Sequence, residues 1–449
     1  GFTSTLRELT SIPLSVGTNV FTATYINACG AKSTQAFTIT VQSSATSTAT
    51  AVVTAVNTPI STLFGGNPLM YQKYTADPTA CWFNGRMYIY NSHDKDGATG
   101  YDITDVTLMS SDDLVNWTDE GETFKASSTT WAGLTYAPAA VYRNGYYYLY
   151  FGNGGGSIGV VRSTSPTGPW TDPVGRAIVT GSTPGCSGLT YIFDPAVFID
   201  DDGQAYMYFG GGGPGNARVI KLNADMISVS GSAVTIDAPR YFEAPFMNKR
   251  NGIYYYSYST DFSASPAATI DYMTSNNPMT GFTHRGTILG NPSDNCGNNN
   301  HASIVNVGSD WYIAYHTRRL SNTNLGNCNG IYQRSVALDK LYFNADGTIQ
   351  KVVTTTTGVN ALKYANPYTV NKAVTMAKES GIQTETCSEG GLDVGFIENG
   401  DWIQVKNFNF GTGAASFEAR VASAGAGGNI EIRVGSITGT IAGTCAVPV

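Results

Sequence analysis

Charge is scarce in this chain of 449 residues. Asp, Glu, Lys and Arg make up 13% of it, about half the ~25% of an ordinary globular protein. Histidine occurs only 4 times. The charges lean acidic, with 26 Lys and Arg against 33 Asp and Glu, a net −7. Phosphate binding needs clustered cations, so a nucleic-acid partner is not expected. No apolar run approaches the ~18–20 residues of a membrane span, so no membrane partner is expected either. Seven cysteines stand at 29, 81, 186, 296, 328, 387 and 445, and none forms Cys-x-x-Cys. That pattern excludes zinc-ribbon and thioredoxin-like sites. No strong helical period appears. The chain begins at Gly1 without a signal segment and stops at Val449, so it reads as processed or partial.

What is abundant is glycine (51) and tyrosine (27), and 42% of residues are apolar. That is enough for a sizeable core and against intrinsic disorder. A surface rich in Tyr, Trp, Gly and Asn suits a neutral polar ligand, and sugar is the first expectation. Cys296 and Cys328, in Gly/Asn-rich loops, could pair as a disulfide, and so could Cys387 and Cys445. Either bridge would fit a secreted, extracellular protein.

Residues 1–42 alternate apolar and polar, as in Asn19–Tyr25 and Ala36–Val41, and read as a partial, immunoglobulin-like β-sandwich tail. Residues 43–57 are Ser/Thr/Ala-rich and uncharged, the composition of a linker. Over 58–365 a turn followed by a Tyr-rich alternating strand occurs five times. The turn glycines are Gly85, Gly145, Gly203, Gly252 and Gly308, spaced by 60, 58, 49 and 56 residues. Asn-Gly and Asp-Gly are hairpin turns. A repeat of this length, one antiparallel sheet per unit, predicts an all-β, five-bladed propeller.

In a propeller the strand before each such turn lines the axis. Six to nine residues ahead of the glycines stand Asp77, Ala139, Asp194, Glu243 and His301. Four ionisable groups at equivalent places, in a chain so poor in charge, converge on one point. A carboxylate in an apolar strand is costly unless paired or hydrogen-bonded. Taken singly, Asp-Pro can be turn chemistry and a lone histidine a satisfied core residue. The recurrence in phase is what favours a site. Two carboxyls across a cleft suffice to hydrolyse a glycosidic bond, one protonated as acid and one ionised as base. A gap of ~6.5–9.5 Å between them admits a water and inverts the anomeric centre. The run Asp200–Gly203 reads as an exposed turn.

The stretches around Asp77 (YTADPTACWFNGRMYIY), Asp194 (FDPAVFIDDDGQAYMYFGG), Glu243 (YFEAPFMNKRNGIYYYSYST) and His301 (NHAS) resemble glycoside hydrolase family 43 over roughly residues 66–355. The resemblance implies an inverting enzyme on a five-bladed propeller, acting on xylan and arabinan side chains and ends. By motif, Asp77 is the general base, Asp194 the pKa modulator and Glu243 the general acid. His301 matches an axial histidine often linked to a structural calcium, and no cofactor serves catalysis. Arg334 matches an arginine that reaches the substrate pocket. Tyr136 and His93 are further candidates for substrate contact. Where many members have Trp-Ala-Pro-Asp, this chain has Tyr136-Ala-Pro-Ala139.

Residues 366–449 resemble carbohydrate-binding module family 6, a β-sandwich, here incomplete. The resemblance rests on Ser380–Glu385, Glu389–Trp402 and Ala414–Ser423, and implies a sugar contact at Phe396. Lys372 and Val374 stand where the module's calcium-holding acids would be.

The reading is a secreted monomer that releases L-arabinofuranose, D-xylose or both from arabinoxylan and xylo-oligosaccharides of the plant cell wall. An arabinan hydrolase, endo or exo, is an alternative on the same propeller. A retaining fructan hydrolase would need an Asn-Asp-Pro-Asn-Gly-like setting at the first Asp-Pro, which is absent. A non-catalytic sugar-binding propeller would repeat its binding residues, whereas the axial residues here differ blade by blade.

Overall fold

The computed structural model describes residues 17–26, 32–41, 65–263, 266–296, 298–423 and 425–448. The 43–57 linker lies outside them, as does most of the first tail. Of that tail one antiparallel hairpin is described, Gly17–Ile26 with Lys32–Val41.

Five antiparallel sheets form the body. Their innermost strands are Tyr74–Phe83, Tyr136–Arg143, Ala196–Ile199, Tyr241–Arg250 and Ala302–Val307. Each turns back at the predicted glycine. In the first, second and fourth blades two residues close the hairpin, pairing Phe83 with Arg86, Arg143 with Tyr146, and Arg250 with Ile253. There an Asn at φ near 50° precedes a Gly at φ near 80°. Both angles are positive, as the hairpin turn that matches strand twist requires.

The Tyr-rich strands are second in each blade, covered on both faces by neighbouring blades. Tyr90, Tyr150 and Tyr208 are fully buried, and each hydroxyl donates to a carbonyl of the next blade: Pro166 O at 2.7 Å, Met226 O at 2.6 Å and Pro278 O at 2.8 Å. A tyrosine thus fills the interblade core and satisfies its own polar end.

The ring closes with the chain's early segment. Leu69 N–H donates to Val336 O at 2.9 Å, and Asn67 bonds Leu338 through both amide atoms. Thr75 N–H donates to Arg334 O at 2.9 Å. This closure sets Arg334 beside the first inner strand.

The C-terminal module comprises three two-stranded ladders, Lys378–Ser380 with Trp402–Gln404, Gln383–Thr386 with Leu392–Gly395, and Gly428–Val434 with Thr440–Val447. The expected boundary at 365/366 is crossed by a strand: Thr375–Met376 adds a fifth strand to the first blade, against Trp117–Lys125. Beside it, buried Asp119 accepts from Lys73 Nζ at 2.9 Å and from Thr384 Oγ1 of the module at 2.6 Å. Asp119→Ala is expected to lower the unfolding free energy by about 3 kcal/mol, because it strands Lys73 and unties the module. Guanidinium unfolding checks this, and an unchanged midpoint would show the contact to be passive.

Cys296 and Cys328 form the first predicted disulfide, Cα to Cα 5.6 Å. The second does not form: Cys387 and Cys445 lie on different ladders, Cys387 just past Gln383–Thr386 and Cys445 inside Thr440–Val447.

Candidate active site

Four of the five inner strands carry, within them or just ahead, an X-Pro step whose first residue has positive φ: Asp77 at 49°, Ala137 at 42°, Asp194 at 51° and Ala244 at 56°. Such angles are uncommon for non-glycine residues and cluster at functional sites. The ladder slips at three of these steps, between Ala76 and Thr79, Tyr136 and Ala139, and Glu243 and Phe246. A bulge bends the strand and re-aims its side chains. This corrects one expectation. The second-blade counterpart of Asp77 is Ala137, not Ala139: both sit at the positive-φ X-Pro bulge, 8 residues before the turn glycine. Glu243, one residue before its bulge, corresponds to Tyr136.

Asp77, Asp194 and Glu243 are buried, each keeping only 6–8% of its surface. His301 stands between the first two, its Nδ1 3.5 Å from Asp77 Oδ1 and 3.9 Å from Asp194 Oδ2. Arg334 Nη1 donates to Asp77 Oδ1 at 2.6 Å. Its Nε and Nη2 fork onto the two oxygens of buried Asp94, both at 2.8 Å. One guanidinium therefore holds two carboxylates, and Tyr101 lies under it at 4.8 Å from ring centre to guanidinium carbon.

Burial alone would raise the Asp77 pKa, but the Arg334 charge, with contacts from His316 and His301, outweighs it and holds the carboxyl well below its ordinary range. Asp194 moves the other way, raised well above the ordinary value by burial and then by the charges of Glu243 and Asp77; Ala244 N–H, donating at 3.1 Å, offsets only part. Burial, then the Asp77 charge, raises Glu243 to about 7. The cation is already engaged by Asp77 and Asp94, so the Asp194–Glu243 pair is where a proton stays. Burial lowers His301 to about 4, so its ring is neutral at neutral pH. Environment thus separates three like groups into one ionised carboxylate and a proton-holding pair.

Tyr136 reaches the rim, its hydroxyl donating to Tyr101 O at 2.5 Å. His93 does not join the cluster. Alternation along Arg86–Asp94 sends Asp94 to Arg334 and the His93 ring to Asp105, 2.5 Å away. Phe396 is exposed on the module surface. The residues that the motifs passed over are Asp94, Tyr101, Asn299, His316 and Arg318. None carries a local signal, since each is drawn in by ring closure or by long loops.

A calcium takes six to eight oxygen ligands. The described residues offer no such cage at His301, whose Nδ1 faces carboxylates already bonded elsewhere. The set of three donors that does close is His93, Asp105 and Glu122. There Asp105 is held by His93, and Glu122 by Lys125 at 2.5 Å. At the axis the described side chains offer the His301 ring and little else, so an ion there would take most of its ligands from water.

Residues 66–349 match the family model described as glycosyl hydrolases family 43, and residues 372–449 match carbohydrate binding module family 6. An arabinoxylan arabinofuranohydrolase of Paenibacillus polymyxa is 44% identical over 85% of this chain and 67% of its own. One of Bacillus subtilis is 43% identical over 85% and 83%. The crystal structure of a Bacillus subtilis family 43 arabinoxylan arabinofuranohydrolase with cellotetraose superposes with a TM-score of 0.76 at 40% identity, covering 86% of this chain and 90% of that one. An α-L-arabinofuranosidase from Clostridium thermocellum reaches 0.57 at 52% identity, covering 65% and 98%. Carboxyl cluster, propeller and family match coincide over the same residues, and the chain belongs to glycosyl hydrolase family 43 as a glycosidase.

Proposed function

We propose that this protein is a secreted α-L-arabinofuranosidase that removes arabinofuranosyl groups from arabinoxylan by single displacement with inversion. The observation that carries the reading is the split within one cluster: Asp77 is held ionised by Arg334, and Glu243 titrates near 7. Glu243 gives its proton to the leaving glycosidic oxygen as the bond from the anomeric carbon breaks. Asp77 takes a proton from a water whose oxygen forms the new bond on the opposite face. Two steps in one leave Glu243 ionised, Asp77 protonated and the sugar inverted. Asp194 shares the Glu243 proton and tunes its affinity. The relatives named arabinoxylan arabinofuranohydrolases support the substrate class. The Cys296–Cys328 bridge supports an extracellular setting. A structural calcium on the axis would have to be held largely by water, and no step needs it.

The test is a panel of nitrophenyl α-L-arabinofuranoside and β-D-xyloside beside arabinoxylan and linear arabinan, with proton NMR of the first product. Arabinose released from arabinoxylan in inverted form is the expected result. Retained configuration would require a covalent intermediate and end the single-displacement reading. The pH profile is equally specific. kcat/KM should fall tenfold per unit above about pH 7 as Glu243 loses its proton. On the acid side Asp77 stays ionised below the ordinary carboxylate range, so no limb is expected near pH 4 from the base.

A further inference from the structure

Arg318 is fully buried, yet among the described residues no Asp or Glu pairs with it. A buried charge without a counter-ion is costly unless its donors are otherwise satisfied. Its Nε and Nη2 donate to Ile331 O at 2.9 and 2.6 Å, and Nη1 donates to Asn295 O at 3.3 Å and to the Asn295 side chain. Nη2 also donates to Asn299 Oδ1 at 3.3 Å. Tyr101 OH donates to the same oxygen at 3.4 Å. With two donors on its oxygen, the Asn299 amide has one orientation. Its Nδ2 then faces Glu243 and donates to Oε1 at 3.4 Å. The Asn299 backbone is fixed as well, because its carbonyl accepts from His316 Nε2 at 3.0 Å and from Asn295 Nδ2 at 2.7 Å. The Cys296–Cys328 bridge anchors the same loop.

We propose that Asn299, oriented by the unpaired Arg318 guanidinium, is a positioning residue for the general acid. The inference rests on the assignment of Glu243 as acid. An N–H donated to Oε1 holds one carboxyl oxygen still, so the proton sits on Oε2, the oxygen left free for the leaving group. The same N–H favours the ionised carboxyl, and so it limits how far burial raises Glu243. The other groups facing Glu243 are Asp77 and Asp194 from the first and third blades, Arg334 from just ahead of the fifth-blade strand Ser335–Leu341, Tyr101 from the first-blade loop and Tyr241 from its own strand.

The test uses the full chain with Asn299→Ala and two aryl α-L-arabinofuranosides, phenyl and 2,4-dinitrophenyl. The dinitrophenolate leaves without a proton, whereas phenolate needs one. Asn299→Ala should lower kcat/KM about 30-fold for the phenyl glycoside and less than about threefold for the dinitrophenyl one. The alkaline limb should move up by about one pH unit. Asn299→Asp, which loses the N–H and adds a like charge, should shift the limb further. Equal losses on both substrates, or an unmoved limb, would reduce Asn299 to a structural residue and overturn the proposal. Glu243→Gln belongs in the same series. If it still hydrolyses the phenyl glycoside, the acid assignment fails and takes the proposal with it. If it does not, failure of the Asn299 signature condemns the proposal alone.

Discussion

Glu243→Gln is expected to lower kcat on arabinoxylan by about 10³-fold or more, while the protein stays folded. The amide fills the same space but has no proton to give at neutral pH. Its effect on stability has a defined sign. The folded-state pKa of Glu243 is raised to about 7, above its ordinary value of 4.5. Between those values the folded chain binds the extra proton, so wild-type stability falls as pH rises through that window. The amide cannot ionise and removes this dependence. The variant should therefore match the parent in melting temperature near pH 5 and exceed it near pH 8. Residual turnover should also lack the alkaline limb. Turnover at the parental rate would remove Glu243 from its role as acid.

Arg334→Met should be nearly as damaging, for a different reason. The side chain is 2% exposed and bridges Asp77 and Asp94, both buried. Removing it strands two carboxylates, and breaking a buried pair costs about 3–5 kcal/mol. Arg334→Lys should rescue little, because a point charge cannot fork onto one carboxylate and reach the other. The pH behaviour reverses. In the parent the depressed Asp77 pKa adds stability that is present above the unfolded value of 3.8 and lost as pH falls through the folded one. Without the guanidinium, burial and two acidic neighbours raise Asp77 instead. Stability should then decline as pH rises from 4 toward 7, and kcat/KM should acquire an acid limb that the parent lacks. Guanidinium unfolding at pH 5 and 7 with pH–rate profiles reads both effects. A variant with parental stability and no acid limb would mean that Arg334 does not set the state of the base.

Much of this architecture was legible in the residues. The turn glycines recur at nearly even spacing, and the hairpins fold back at Gly85, Gly145, Gly203, Gly252 and Gly308 as that spacing predicts. Asp77, Asp194 and Glu243 could be picked out because charge is rare here and each stands 8 or 9 residues before its turn glycine. The phase itself was misread in the second blade and, by one residue, in the fourth. A window of six to nine residues is too loose to set register, whereas 8 residues, the distance from Asp77 to Gly85, lead back from Gly145 to Ala137. His93 and Asp94 are neighbours in sequence, yet only Asp94 meets Arg334, because a strand sends successive side chains to opposite faces.

By itself, then, the order of residues determined the blades, since turn chemistry and alternation act over a few positions, and it marked the three acids. Which acid keeps its proton was decided only by the closed ring. Asp77 and Arg334 lie 257 positions apart and meet because the last blade docks on the first. Proton affinity depends on distances between groups brought together from far along the chain, and no local pattern encodes those distances.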